Sequence, residues 1–113
     1  MNNLTVDQIE AAYSLLKTFS PFKGWHLPDA DDIEIRITNH NGMRGECIQE
    51  GPKLILNVSH KCHGHTLTLL NTLAHECVHL RQAQLGINLD HGEFFQKAAK
   101  QVCRIHGFDP KDF

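Results

Sequence analysis

Hydrophobic positions along this chain recur with two periods, and the switches between them outline the fold. Ile9, Ala12, Tyr13, Leu16 and Phe19 recur at helical spacing. Thr5 and Gln8 precede them as a capping box, with Leu4 and Ile9 spaced as a hydrophobic staple. Pro21 ends that first predicted helix, and the Gly-, Pro- and Asp-rich segment 22–32 reads as a loop. The period then shortens to two. In "DIEIRIT" the isoleucines 33, 35 and 37 share one face, while Glu34 and Arg36 share the other, as in a half-buried strand. After the turn signal Asn41-Gly42, "MRGECIQE" makes a second strand, closed by Gly51-Pro52. "KLILNVS" makes a third, with Leu54, Leu56 and Val58 on one face and Ile55 breaking the polarity of the other, so it is expected to be the more buried.

The helical period returns after the loop "HKCHGH". Thr66 is the expected N-cap of a helix over 67–85 with Gly86 as its C′ residue, and Leu70, Leu73, Ala74, Cys77 and Leu80 form its apolar stripe. Asp90 and Glu93 are spaced as a second capping box, with Leu89 and Phe94 as staple and His91 as the first helical residue. Phe95, Ala98, Ala99 and Val102 give the last helix its core face, and Gly107 ends it. Repeats and low-complexity stretches are absent. The order helix, three strands, helix, helix predicts an α+β fold in one domain over 1–113.

Composition narrows the function classes. With 41% hydrophobic and 21% charged residues and a formal net charge of −2, the chain has no global basic field for a phosphate backbone. It has no run of about 18 or more apolar residues to span a bilayer. "MNNLTVDQIEAAY" has neither the basic nor the apolar region of a signal peptide, so a cytoplasmic protein is expected. Cys47, Cys62, Cys77 and Cys103 form no C-x-x-C pair and read as free thiols in a reducing compartment. The nine histidines stand out more.

His75-Glu76-Cys77-Val78-His79 is an H-E-x-x-H sequence inside the predicted second helix. Histidines four apart project from one helix face a turn apart, which suits two ligands of one tetrahedral ion. Glu76 is set to take a proton from a water in the open position, the general base of metal-assisted amide hydrolysis. A catalytic zinc site takes a third protein ligand. The metzincin pattern is excluded, because Gln82 and Leu85 stand where it needs Gly and His. His91, twelve residues after His79 and beyond the Gly86 stop, is well placed to complete the site. Cys47 competes for that role, since a strand cysteine ahead of H-E-x-x-H is the peptide deformylase arrangement, although Val78 and the missing glutamine motif depart from it. Asp90 and Glu93 read as capping residues, one of which would orient a liganding imidazole. Cys62, His63 and His65 read as a polar loop, and none of His63, His65 and His106 stands out as an oxyanion donor.

Taken together, "RGEC", "LILNVS" with "LAHECVHL", and "HGEFFQKAA" resemble the SprT-like zinc metallopeptidases, the family that includes Spartan, over roughly residues 43 to 100. The resemblance implies His75, His79 and His91 as ligands of Zn2+, Glu76 as catalytic base, and a minimal gluzincin-like core. It also implies that a protein or peptide substrate is held as an added strand near Arg44 to Gln49. The loop between His79 and His91 is short for the family, and no zinc ribbon or basic tail is present, so nucleic acid enters only by family analogy. The expected activity is that of a zinc-dependent endopeptidase. The alternatives are a zinc-binding structural or interaction module of the same fold and a deformylase-like hydrolase of small amides.

Overall fold

The computed structural model describes residues 4–62 and 65–113; the side chain of Cys62 and the whole of His63 lie outside it. It shows three helices and a three-stranded mixed sheet, the expected α+β class: α1 (Val6–Leu16), β1 (Glu34–Thr38), β2 (Gly45–Glu50), β3 (Lys53–Ser59), α2 (Thr66–Gln84) and α3 (Glu93–His106).

Local sequence sets several of these boundaries. The Thr5 hydroxyl accepts from the Gln8 amide at 3.2 Å and the Gln8 side chain accepts from the Thr5 amide at 3.0 Å, so the capping box forms as expected. Leu4, Ile9, Tyr13 and Leu16 are buried. The helix stops at Leu16, earlier than Pro21, because Thr18 and Phe19 turn their amides to the carbonyls of Leu15 and Leu16, three residues back. Phe19 therefore leaves the expected core face and is 46% exposed, its ring edge-on to His106.

The strand order is β1-β3-β2, with β3 parallel to β1 and antiparallel to β2. This explains why the apolar character of β3 reaches both faces: it is the central strand, and Ile55, Leu56 and Val58 are fully buried. Glu50 pairs with Lys53 around the Gly51-Pro52 turn, where Gly51 has φ 60°. Asn41-Gly42 closes no hairpin. β1 and β2 lie on opposite sides of β3, so residues 39–44 pass across the end of β3. Buried Ser59 fastens this crossing: its amide donates to the Arg44 carbonyl at 2.8 Å and its hydroxyl to the His40 carbonyl. The crossing thereby delivers Gly42 to Arg44 beside α2.

α2 packs against β2, α1 and α3. Leu69, Leu73, Ala74, Cys77, Val78 and Leu80 are buried, close to the expected stripe. His65 is the N-cap in place of Thr66, a shift of one residue, without a side-chain cap bond. At the other end Gly86 takes φ 70° as the C′ residue, and the Ile87 amide folds back to the Gln82 carbonyl at 2.9 Å.

The start of α3 differs from expectation. Gly92 is its N-cap, and His91 stands outside the helix. The Asp90 carboxylate accepts from the Gly92 amide at 3.0 Å, two residues on, rather than from Glu93. Exposed Glu93 pairs with Lys97, 3.2 Å away on the same helix. Phe95, Ala99, Val102 and Cys103 form the buried face, and Gly107 ends the helix with φ 75°.

Candidate metal centre

Helical geometry puts His75 and His79 on the side of α2 that faces the start of α3. The tight turn after Gly86 returns the chain so that His91 meets them. The His91 Nε2 atom lies 3.2 Å from His79 Nε2 and 3.3 Å from His75 Nε2. Among the described residues, this trio is the group of metal-ligating side chains that converges, with ligand atoms within 4.8 Å of one another.

The protonation pattern identifies what such a cluster can hold. His75 Nδ1 lies 2.7 Å from the main-chain oxygen of Phe113, the last residue, which accepts, so the proton sits on Nδ1 and the lone pair on Nε2. His79 Nδ1 likewise donates to Gln82 Oε1 at 2.7 Å. Burial holds the His75 imidazole down at about 4, against the opposing bond to Phe113, with His79, His91 and Arg44 adding to the depression. Burial also holds His79 below its usual value. Both rings are therefore neutral near pH 7, as ligands must be. The Nε2 lone pairs of His75 and His79 are thus both turned toward His91 Nε2, where a cation would take them. Nitrogens about 2.0–2.1 Å from a tetrahedral ion are about 3.3–3.4 Å apart, close to the two separations from His91. The donor set and spacing thus fit a metal ion.

Two further residues order the cluster. Gln82, fully buried, accepts from His79 through Oε1 and donates from Nε2 to the Asp90 carbonyl at 3.0 Å. It therefore positions the His79 ring directly and fixes the backbone next to His91. The sequence offered it no distinguishing signal beyond its place three residues after His79. Asp90 does contribute to ligand orientation, but through this carbonyl and not its carboxylate. Phe95 packs among all three imidazoles, with centroids 4.8 Å from His75, 4.8 Å from His79 and 4.5 Å from His91. It stands four residues after His91, which gives the "HGEFF" spacing a packing reason.

A cavity of about 650 Å³ opens on the cluster, lined by Gly42 to Cys47, Thr72, His75, Glu76, His79, Leu89, Asp90, His91 and Phe113. Glu76 is 2% exposed, and burial, aided by Glu46, pushes its carboxyl up to about 8. Gly45 leaves room for it: a Cβ there would lie 2.8 Å from Thr72 Cγ2 and 3.3 Å from Glu76 Oε2. Cys47 lines the same cavity but does not join the histidine group, and burial first, then Glu76 and Glu46, pushes its thiol up to about 12. His106 is held elsewhere, its ring stacked on Phe22 and bonded to the Ser20 carbonyl at 2.6 Å. His65 caps α2, and His63 lies outside the described residues. No described helix is long and apolar enough to cross a membrane.

Compared with known proteins, the chain matches no family model, no curated protein and no solved structure.

Proposed function

We propose that this chain is a zinc-dependent endopeptidase of the SprT-like type, with His75, His79 and His91 as metal ligands and Glu76 as general base. The observation that carries the reading is the convergence of three imidazole nitrogens, at 3.2 and 3.3 Å from His91 to the other two, on the cavity that also holds the Glu76 carboxyl. Zinc bound there supplies Lewis acidity, to a water and to the amide carbonyl alike. Glu76 takes the water proton at its carboxylate and returns it to the leaving amine. Burial favours its protonated form, and the positive charge of a bound dication acts in the opposite direction, so the group can serve in both steps. The wall formed by Gly45 to Cys47 belongs to β2, an edge strand, whose free side offers main-chain groups to an extended polypeptide.

The motif segments "RGEC", "LAHECVHL" and "HGEFF" meet around this one cavity, which supports the resemblance to the SprT-like family and its zincin-type core. The deformylase-like alternative needs Cys47 as third ligand, whereas the side chain that clusters with His75 and His79 is that of His91. A purely structural site has no use for a buried carboxyl beside the cluster. The test is the cleavage of unfolded protein substrates by zinc-loaded protein. Wild type is expected to cleave. Glu76→Gln is expected to keep zinc and lose hydrolysis by at least about a hundredfold, the scale of general-base catalysis. A wild type that binds zinc but cleaves no polypeptide leaves a binding module.

A further inference from the structure

The His75 imidazole is oriented from outside its own helix. Its Nδ1 partner is the Phe113 main-chain oxygen, in a segment that follows α3. Several interactions bring that oxygen into place. Gly107, with φ 75°, reverses the chain after α3, and the Asp109 carboxylate and carbonyl accept from the amides of Lys111 and Asp112, both at 2.9 Å. The Phe113 ring then sits 5.3 Å from the His75 ring and 6.0 Å from Phe108, facing Phe95 at 6.3 Å. Finally, Arg44, at the entrance to β2, donates from Nη2 to the Asp112 carbonyl. Arg44 and Phe113 both line the cavity over the cluster.

We propose that Arg44 and Phe113 are positioning residues of the metal centre: Phe113 presents the main-chain oxygen that fixes the His75 tautomer, and Arg44 fastens the segment that carries it. An oxygen acceptor on Nδ1 keeps the Nε2 lone pair toward His91, and such outer partners commonly set metal affinity. Arg44 does this from a different part of the chain, so the β-sheet and the ligand helix are joined through residues 108–113. The inference rests on the metal-centre reading above.

The test measures zinc affinity by competition with a chromophoric chelator, together with the absorption spectrum of the cobalt-loaded protein, all without substrate. Arg44→Met keeps the aliphatic stem and removes the donors, and it is expected to weaken zinc about 10- to 100-fold and to alter the cobalt spectrum. Arg44→Lys, which retains one donor, restores part of the affinity. Phe113→Gly removes the ring that seats the oxygen and gives a similar loss. The double variant loses little more than either single one, because both act through one bond. Unchanged affinity and spectrum in Arg44→Met, or losses that simply add in the double variant, overturn the proposal. A wild type that takes up neither ion overturns the metal-centre reading and this inference with it.

Discussion

Gln82 and His79 are joined by a hydrogen bond of 2.7 Å inside α2, three residues apart, and the free end of the same amide reaches the Asp90 carbonyl at 3.0 Å. One side chain thus orients a ligand and anchors the turn that returns His91. Gln82→Leu fills a similar volume but leaves His79 Nδ1 and the Asp90 carbonyl without this partner. Stranding the buried His79 nitrogen costs about 1–3 kcal/mol, while the carbonyl of exposed Asp90 can turn to water. We expect a lower melting temperature for the metal-free protein and a zinc affinity reduced about 10- to 100-fold. Gln82→Glu keeps an acceptor for His79 but loses the donor to Asp90, so its zinc affinity should fall between the two. Thermal unfolding and chelator competition measure both effects.

The third-ligand assignment separates His91 from Cys47. His91→Ala removes one of the three converging nitrogens and should weaken zinc by several orders of magnitude. Cys47→Ser should leave the affinity unchanged, since its thiol stands outside the histidine group. The same thiol, pushed up to about 12 by burial, should react slowly with an alkylating reagent at pH 8 in the folded metal-free protein and rapidly after unfolding.

Gly45 is predicted to be intolerant of substitution for a steric reason. The Cβ of an alanine would lie 2.8 Å from Thr72 Cγ2, 3.2 Å from the Asn57 carbonyl oxygen and 3.3 Å from Glu76 Oε2. Overpacking of this kind costs about 1–3 kcal/mol, and relief requires β2 or the Glu76 carboxyl to move. Gly45→Ala should therefore lower the melting temperature and reduce hydrolysis while zinc stays bound, because the ligands lie on α2 and the α2–α3 turn. Loss of zinc at unchanged hydrolysis per bound metal would contradict this.

Stability of the metal-free protein should depend on pH in a defined way. His75 is held down from 6.5 to about 4 by burial, so the unfolded chain binds more protons than the folded one between those values. That term makes stability rise with pH over the interval. Glu76 is pushed up from 4.5 to about 8, so the folded chain binds the extra proton between those values. That term makes stability fall with pH. The two oppose each other from about 4.5 to 6.5, and above 6.5 the Glu76 term continues, at a slope of at most about 1.4 kcal/mol per pH unit. The charged or titratable neighbours are Glu46, Arg44, His79 and His91. Melting curves under chelation should show stability declining from pH 6.5 to 8, and Glu76→Gln should flatten that decline.

Much of this molecule was legible where the cause is local. The Thr5–Gln8 capping box, the Gly86 and Gly107 stops and the alternating strands each depend on residues within a turn of one another, and each formed as read. The extra burial of β3 was legible because Ile55 interrupts its polar face. What the sequence concealed is nonlocal. Nothing in Asn41-Gly42 shows that the chain passes across the end of β3, because the β1–β3 pairing joins segments a strand apart. Asp90 and Glu93 have capping-box spacing, yet α3 starts at Glu93. Asp90 spends its carboxylate on Gly92 and its carbonyl on Gln82, which keeps His91 in irregular backbone where it can face α2. The three converging histidines were readable from spacing and resemblance. Their supports, Gln82, Phe95 and Phe113, were not, since a glutamine on a helix and a phenylalanine in a core face have ordinary readings.

Crystals of zinc-loaded protein, measured on both sides of the zinc absorption edge, test whether three imidazoles beside Glu76 hold a metal ion. A single strong anomalous peak is expected within about 2.0–2.1 Å of the Nε2 atoms of His75, His79 and His91, with a fourth position open to the cavity. A peak that includes Cys47 Sγ in place of His91, or one lying away from these histidines, would contradict it.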